Sequence, residues 1–192
     1  MLYLASASPR RRELLSQLSL EFEAMPSNIL EERRAEESPT EYVTRVARDK
    51  ARYVAGLMKT RALPVYPVLG ADTEVVLDGE IFGKPRDRDH GMELLRRLGG
   101  RTHEVLSALC LIHADREHAA LSVSRVTFAP LTEAEIAQYW ETGEPSGKAG
   151  AYAIQGKAAA FIARLEGSYS GVMGLPLHEL AVLLKQIGVG KV

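Results

Sequence analysis

The chain has a single cysteine, Cys110, among 192 residues. One thiol excludes an internal disulfide and a cysteine-rich zinc site, and its place in the apolar run "SALCLI" marks it as buried and inert. Neither sign of charge dominates: 24 Lys and Arg face 25 Asp and Glu, a formal net charge of -1. That balance offers no broad basic footprint for a nucleic-acid polymer, so any anion must be held locally. No apolar stretch approaches the roughly 20 residues a bilayer span requires. The first residues lack the basic region and long apolar core of a secretory signal, so the expected location is the cytoplasm, away from membrane. Repeats, linkers and low-complexity tracts are absent too. With 46% hydrophobic and 26% charged residues, the chain reads as one globular domain over residues 1–192.

The local signals present are those of an α/β fold with mixed sheets. "LYLA" reads as a buried strand. Ser8 then caps a helix with Pro9 at its first position and Leu14, Leu15 and Leu18 as its apolar stripe. "LEFEAM" alternates as a strand does, and "PSNILEERRAEE" reads as a loop. Ser38 and Glu41 have capping-box spacing with Pro39 between them, predicting a helix to about Lys59. "VYPVLGA" predicts a strand, with Asp72 and Thr73 at its end, followed by a hairpin turning at Asp78-Gly79. Asp87 caps a further helix closed by Gly99 and Gly100. Two long β segments, "THEVLSALCLIHA" and "AALSVSRVTFA", are joined around "DREH". Thr132 and Glu135 cap a helix through Trp140. A Gly-rich loop, a strand at "AAFIARLEG", a turn at "GSYSGVMGLP" and a helix from Pro176 complete the chain.

Arg10, Arg11 and Arg12 follow a Ser-Pro at a helix start, where free N–H groups favour anions and disfavour cations. Two readings stand: a solvated basic helix end, or a phosphate site of Ser8, backbone N–H groups and guanidinium forks. Lys50 falls on the apolar face of its helix, with Val43, Val46, Ala47 and Val54. It either snorkels outward or enters a polar cleft to meet an anion or carboxylate. Asp72 is either a turn residue or one that holds a divalent metal or activates water. Lys84 in "FGKPRD" is a loop lysine or another phosphate ligand. Taken together, several cations and a carboxylate, with no His/Cys set and no Ser-His pair, suit a polyphosphate with Mg²⁺ better than acyl transfer or redox chemistry. "GEPSGKAG" resembles a phosphate-binding loop, but its spacing is wrong and Ala149 replaces the hydroxyl. The histidines have no ligand spacing and read as surface or strand residues.

"LASASPRRRELL", "RDKA", "GADTEVVLDGEIFGKPRD" and "KAGAYAIQGKAAAFIARLEGSYSGVMGLP" resemble, in order and over nearly the whole chain, the Maf family of nucleoside triphosphate pyrophosphatases. The resemblance implies an elongated mixed sheet with flanking helices, in two lobes around a deep nucleotide cleft. It also implies cleavage between the α and β phosphates with a divalent cation, Mg²⁺ or Mn²⁺. By position, Ser8, Arg11, Lys50 and Lys84 match phosphate-binding residues, and Asp72 matches the proton acceptor. Glu31 matches a carboxylate that holds the metal with Asp72. Arg10, Thr73 and Gln155 resemble the branch acting on dTTP and UTP rather than the branch acting on 7-methylguanosine triphosphate. The glutamine amide can both donate to and accept from a pyrimidine's O4/N3 edge. Family members are often dimers, so the resemblance leaves both a monomer and a homodimer open. The competing class is a nucleotide-sensing regulator of septum formation, which would bind without turnover.

Overall fold

The computed structural model describes residues 1–189. Strand β1 (Leu2–Leu4) leads into helix α1 (Pro9–Ser16), and β2 (Phe22–Ala24) into the long helix α2 (Pro39–Thr60). Next come β3 (Val68–Leu77), β4 (Glu80–Phe82), α3 (Arg88–Leu98), β5 (Thr102–His113) and β6 (Arg116–Phe128). The last part holds α4 (Glu133–Glu141), β7 (Ile162–Glu166), α5 (Tyr169–Met173) and α6 (Leu177–Gln186). Seven strands form one sheet in the order β2-β1-β3-β5-β6-β7, with β4 hairpinned onto β3. β1 pairs in parallel with β2 and β3, and the other pairings are antiparallel. The mixed sheet with flanking helices is the architecture expected. No helix among the described residues is long and apolar enough to cross a membrane.

The helix starts follow their capping chemistry. Both capping boxes close, Ser38 with Glu41 and Thr132 with Glu135, and Asp87 accepts from the His90 N–H. Each such cap satisfies N–H groups left free in the first turn and contributes about 1 kcal/mol.

Three local expectations need correction. Asp72 and Thr73 lie inside β3, not at its end: they pair with Ala108 and Ser107 of β5, and the strand continues to Leu77. The polar residues do not stop the strand, because Asp72 and Thr73, on opposite faces of it, both line a polar cleft. The β5–β6 connection is shorter than "DREH". Ala114 and Asp115 both adopt left-handed φ values of 48° and 59°, as a two-residue hairpin turn requires, and Arg116 to His118 already belong to β6. The segment "GSYSGVMGLP" is not a simple turn. Ser168 accepts from the Gly171 N–H and caps the short helix α5.

One glycine decides where α2 sits. A Cβ at Gly70 would lie 2.1 Å from the Ala47 carbonyl oxygen and 2.7 Å from the Ala51 nitrogen. Only a residue without a side chain lets α2 approach β3 so closely. The same contact brings Lys50, between Ala47 and Ala51, down onto Asp72. Val43, Val46, Ala47, Ala51 and Val54 are fully buried beneath the helix, and α2 is held by that apolar face.

Candidate active site

A cleft of about 900 Å³ opens over β3, between α1, α2, the ends of β4 and α5, and the 147–155 segment. All nine site residues named from the sequence line it: Ser8, Arg10, Arg11, Glu31, Lys50, Asp72, Thr73, Lys84 and Gln155. It is large enough for a nucleotide.

Lys50 is buried, at 6% exposure, and its ammonium donates to Asp72 Oδ1 at 2.7 Å. Glu31 Oε1 lies 3.0 Å from the same nitrogen. The lysine does not snorkel; its charge is compensated by two carboxylates, as burial demands. Asp72 is 5% exposed, and its second oxygen, Oδ2, is buried without a hydrogen-bond partner among the described residues. A carboxylate oxygen in that state is expensive unless something is meant to meet it. Glu31 comes from a loop, and two contacts from α2 fix that loop. Tyr42 donates to the Glu31 carbonyl at 3.1 Å, and Arg45 donates to the Glu32 carbonyl at 2.9 Å.

The basic helix start divides its work. Ser8 Oγ caps α1 by accepting from the Arg11 N–H, while the Ser8 N–H donates to Ser6 Oγ at 3.1 Å. Arg11 is anchored in the wall: its Nε donates to the Gly174 carbonyl at 2.8 Å, and its other nitrogens reach Ser6 Oγ and Thr73 Oγ1 at 3.4 Å. Burial pushes its guanidinium below the usual value, opposed by the Asp72 and Glu31 charges. Thr73 is engaged in the same wall, sharing a hydrogen bond with Ser107 Oγ at 3.0 Å. Ser107 in turn donates to the Gly171 carbonyl at 2.6 Å. Arg10, Lys84 and Gln155 line the cleft with side chains that make no hydrogen bond or ion pair among the described residues.

The sequence reading missed three lining residues. Glu74 stands two residues after Asp72 on the same strand, and the two-residue period puts both on one face. Burial first, and then the Asp72 charge, raise its carboxyl to about 8. Period-2 counting from Asp72 was the signal for it. Tyr42, pushed up to about 12 by burial and then by the Glu74 charge, forms part of the wall beside it. Lys148 belongs to "GEPSGKAG", whose spacing excludes a P-loop but whose lysine still faces the cleft. Outside the cleft, Cys110 is buried and its thiol is raised to about 11 by burial, in keeping with an inert role.

A family model described as "Maf-like protein" matches residues 1–187. The chain belongs to the Maf-like family. Among similar Maf-like relatives, one from Alkalilimnicola ehrlichii is 53% identical over 191 residues, covering 98% of this chain and 93% of that protein. Another, from Xanthomonas oryzae pv. oryzae, is 56% identical over 190 residues, covering 98% and 99%. Both carry the name dTTP/UTP pyrophosphatase. A Vibrio cholerae protein of solved structure matches at TM-score 0.41 and 12% identity, over 74% of this chain and 76% of that one. That likeness is too slight to carry weight.

Proposed function

We propose that this Maf-like protein hydrolyses dTTP and UTP to the nucleoside monophosphate and pyrophosphate. The names of the Alkalilimnicola and Xanthomonas relatives support the substrate class. The observation that carries the chemistry is Asp72: one oxygen held by Lys50, the other buried and unpartnered, inside a nucleotide-sized cleft. In this reading the Asp72 carboxylate accepts the proton of a water that attacks the α phosphorus. The water oxygen bonds to that phosphorus, the bond to the bridging oxygen breaks, and pyrophosphate leaves with the bridging electron pair. Lys50 holds Asp72 in place through its 2.7 Å hydrogen bond to Oδ1. Ser8, Arg11 and Lys84 face the phosphate oxygens, whose charge shifts toward the leaving group.

A divalent cation belongs to this reading. Among the described residues no group of three or more His, Cys, Asp or Glu side chains converges to hold a metal alone. Mg²⁺ suits such a place, because it retains waters and takes one or two carboxylates plus substrate phosphate oxygens. The unpartnered Asp72 oxygen fits that donor set. Asp72 and Glu31 would hold the ion, which supplies charge neutralisation at the phosphoryl oxygens when bound.

Gln155, with Arg10 and Thr73, is assigned to the base. The test is pyrophosphate release from UTP, dTTP, CTP, GTP and 7-methylguanosine triphosphate, on wild type and on Gln155→Glu. UTP and dTTP are expected to lead in the wild type. The mutant should lose roughly 10- to 100-fold in kcat/KM on them, because a carboxylate facing pyrimidine carbonyls leaves acceptors unpaired. Preference for the methylated purine would move the chain to the other branch. Tight nucleotide binding without release would favour the sensor.

A further inference from the structure

Five basic side chains line the cleft, and they do not share one fate. Lys50 is neutralised by Asp72 and Glu31. Arg11 is tied to neutral acceptors in the wall. Arg10, Lys84 and Lys148 have no carboxylate partner among the described residues. For Lys148 the reason is visible. The nearest acid, Glu144, spends its carboxylate elsewhere: it accepts from Tyr139 Oη at 2.6 Å, the Lys157 N–H at 2.9 Å and the Ala158 N–H at 3.3 Å. Lys148 Nζ donates only to the Glu144 backbone carbonyl, a neutral acceptor that leaves two ammonium protons free. The loop is also fixed against the strand end that presents Lys84. The Gly150 N–H donates to the Gly83 carbonyl at 3.2 Å, and a Cβ at Gly150 would press on Val75 at 3.0 Å. Lys84 and Lys148 thus leave hydrogen-bonded stretches of backbone and line the same cavity.

We propose that Lys148 is a further substrate-binding residue, set with Lys84 to hold the pyrophosphate that leaves. The inference rests on the pyrophosphatase reading and adds to it the residue that receives the departing charge. Burial, and then the Arg10 charge, push the Lys148 ammonium below its usual value. Like charges held together in a half-buried place are relieved by a polyanion. Pyrophosphate brings several negative oxygens, which two cations lining one cavity match better than a neutral base edge does.

The experiment is calorimetric titration of inorganic pyrophosphate, in the presence of Mg²⁺, into wild type, Lys148→Met and Lys148→Arg. UMP is titrated in parallel, with thermal melting as the check on folding. Lys148→Met is expected to weaken pyrophosphate binding about tenfold, while UMP binding stays within about twofold, and Lys148→Arg recovers most of the loss. In turnover, kcat/KM should fall by one common factor for UTP and CTP. Unchanged pyrophosphate affinity in a folded Lys148→Met overturns the proposal. So does a loss that falls on UTP and spares CTP, which would place Lys148 on the base. Should Lys148→Met fail to fold, Lys148→Gln replaces it and the same readings apply. Pyrophosphate binding needs no turnover, so a wild type inactive on every nucleotide would sink the enzymatic reading while this one was still decided.

Discussion

The two ends of the cleft treat charge in opposite ways. At the α2 end, buried Lys50 and Asp72 and the exposed Glu31 form a closed, mutually compensated set, with one Asp72 oxygen left over among the described residues. Opposite them, at the loop end, Arg10 of α1 and the loop residues Lys84 and Lys148 stand without acidic partners among the described residues. A buried set is rigid and costly to disturb, so it suits a group that must be aimed. Cations without partners keep their protons for a ligand, so they suit a group that arrives and leaves. The contrast teaches that counting charges in a cleft says less than asking which of them are already occupied.

The hardest blow to the closed end is Asp72→Asn. It keeps the size, removes the proton acceptor and leaves Lys50 with Glu31 alone. Turnover should fall by about 10³-fold or more, while pyrophosphate still binds at the loop end. Steady-state rates and calorimetry on one preparation read both halves. Near-normal turnover in a folded mutant would remove Asp72 from the chemistry.

Gly70→Ala disturbs the closed end without touching a polar group. The added methyl meets the Ala47 carbonyl and must push α2 away from β3. A cost of about 1–3 kcal/mol is expected, read as a melting temperature lower by roughly 2–12 °C. Lys50 then loses its short contact with Asp72, so activity should fall by more than stability alone explains. Pyrophosphate affinity should hold. If turnover survives intact, the close approach is only packing.

These residues also show what the sequence could and could not reveal. Caps are local chemistry, and Ser8, Ser38, Asp87 and Thr132 were legible because each cap is complete within four residues. The nine lining residues were legible because the family motifs carry them, although they come from distant parts of the chain. Asp72 was misplaced to a strand end. Polarity in a strand reads as an exit from the core, whereas here a stretch of β3 borders a cleft with residues of both its faces. Gly70 sits inside a strand pattern, which signals a close approach but not by which helix. Lys148 was hidden for a different reason. What makes it available is the occupation of Glu144 by Tyr139, Lys157 and Ala158, a fact of three-dimensional contact that spacing does not encode.

The smallest effect concerns what stands behind the loop end. Tyr152 lines the cleft four residues after Lys148, and its hydroxyl shares a 2.8 Å hydrogen bond with the buried His103 Nε2. Burial pushes His103 down to about 4 from its ordinary 6.5. The unfolded chain therefore binds the proton first, and between about pH 6.5 and 4 acid lowers stability. The contribution from this one residue is at most about 3 kcal/mol. Melting temperature measured across that window should fall less steeply in His103→Gln than in wild type. Parallel slopes would show that His103 titrates normally.

Arg11 has a consequence for how the molecule comes into being. Its guanidinium joins the first helix to the Gly174 carbonyl, 163 residues later in the chain. On a ribosome the N-terminal helix emerges early, yet the carbonyl that anchors this arginine is made only when nine-tenths of the chain has been synthesised. A product ending before Gly174 lacks the acceptor that orients Arg11. The wall of the cleft is thus completed by a residue made late in synthesis, and a shorter fragment would leave this arginine without its anchor.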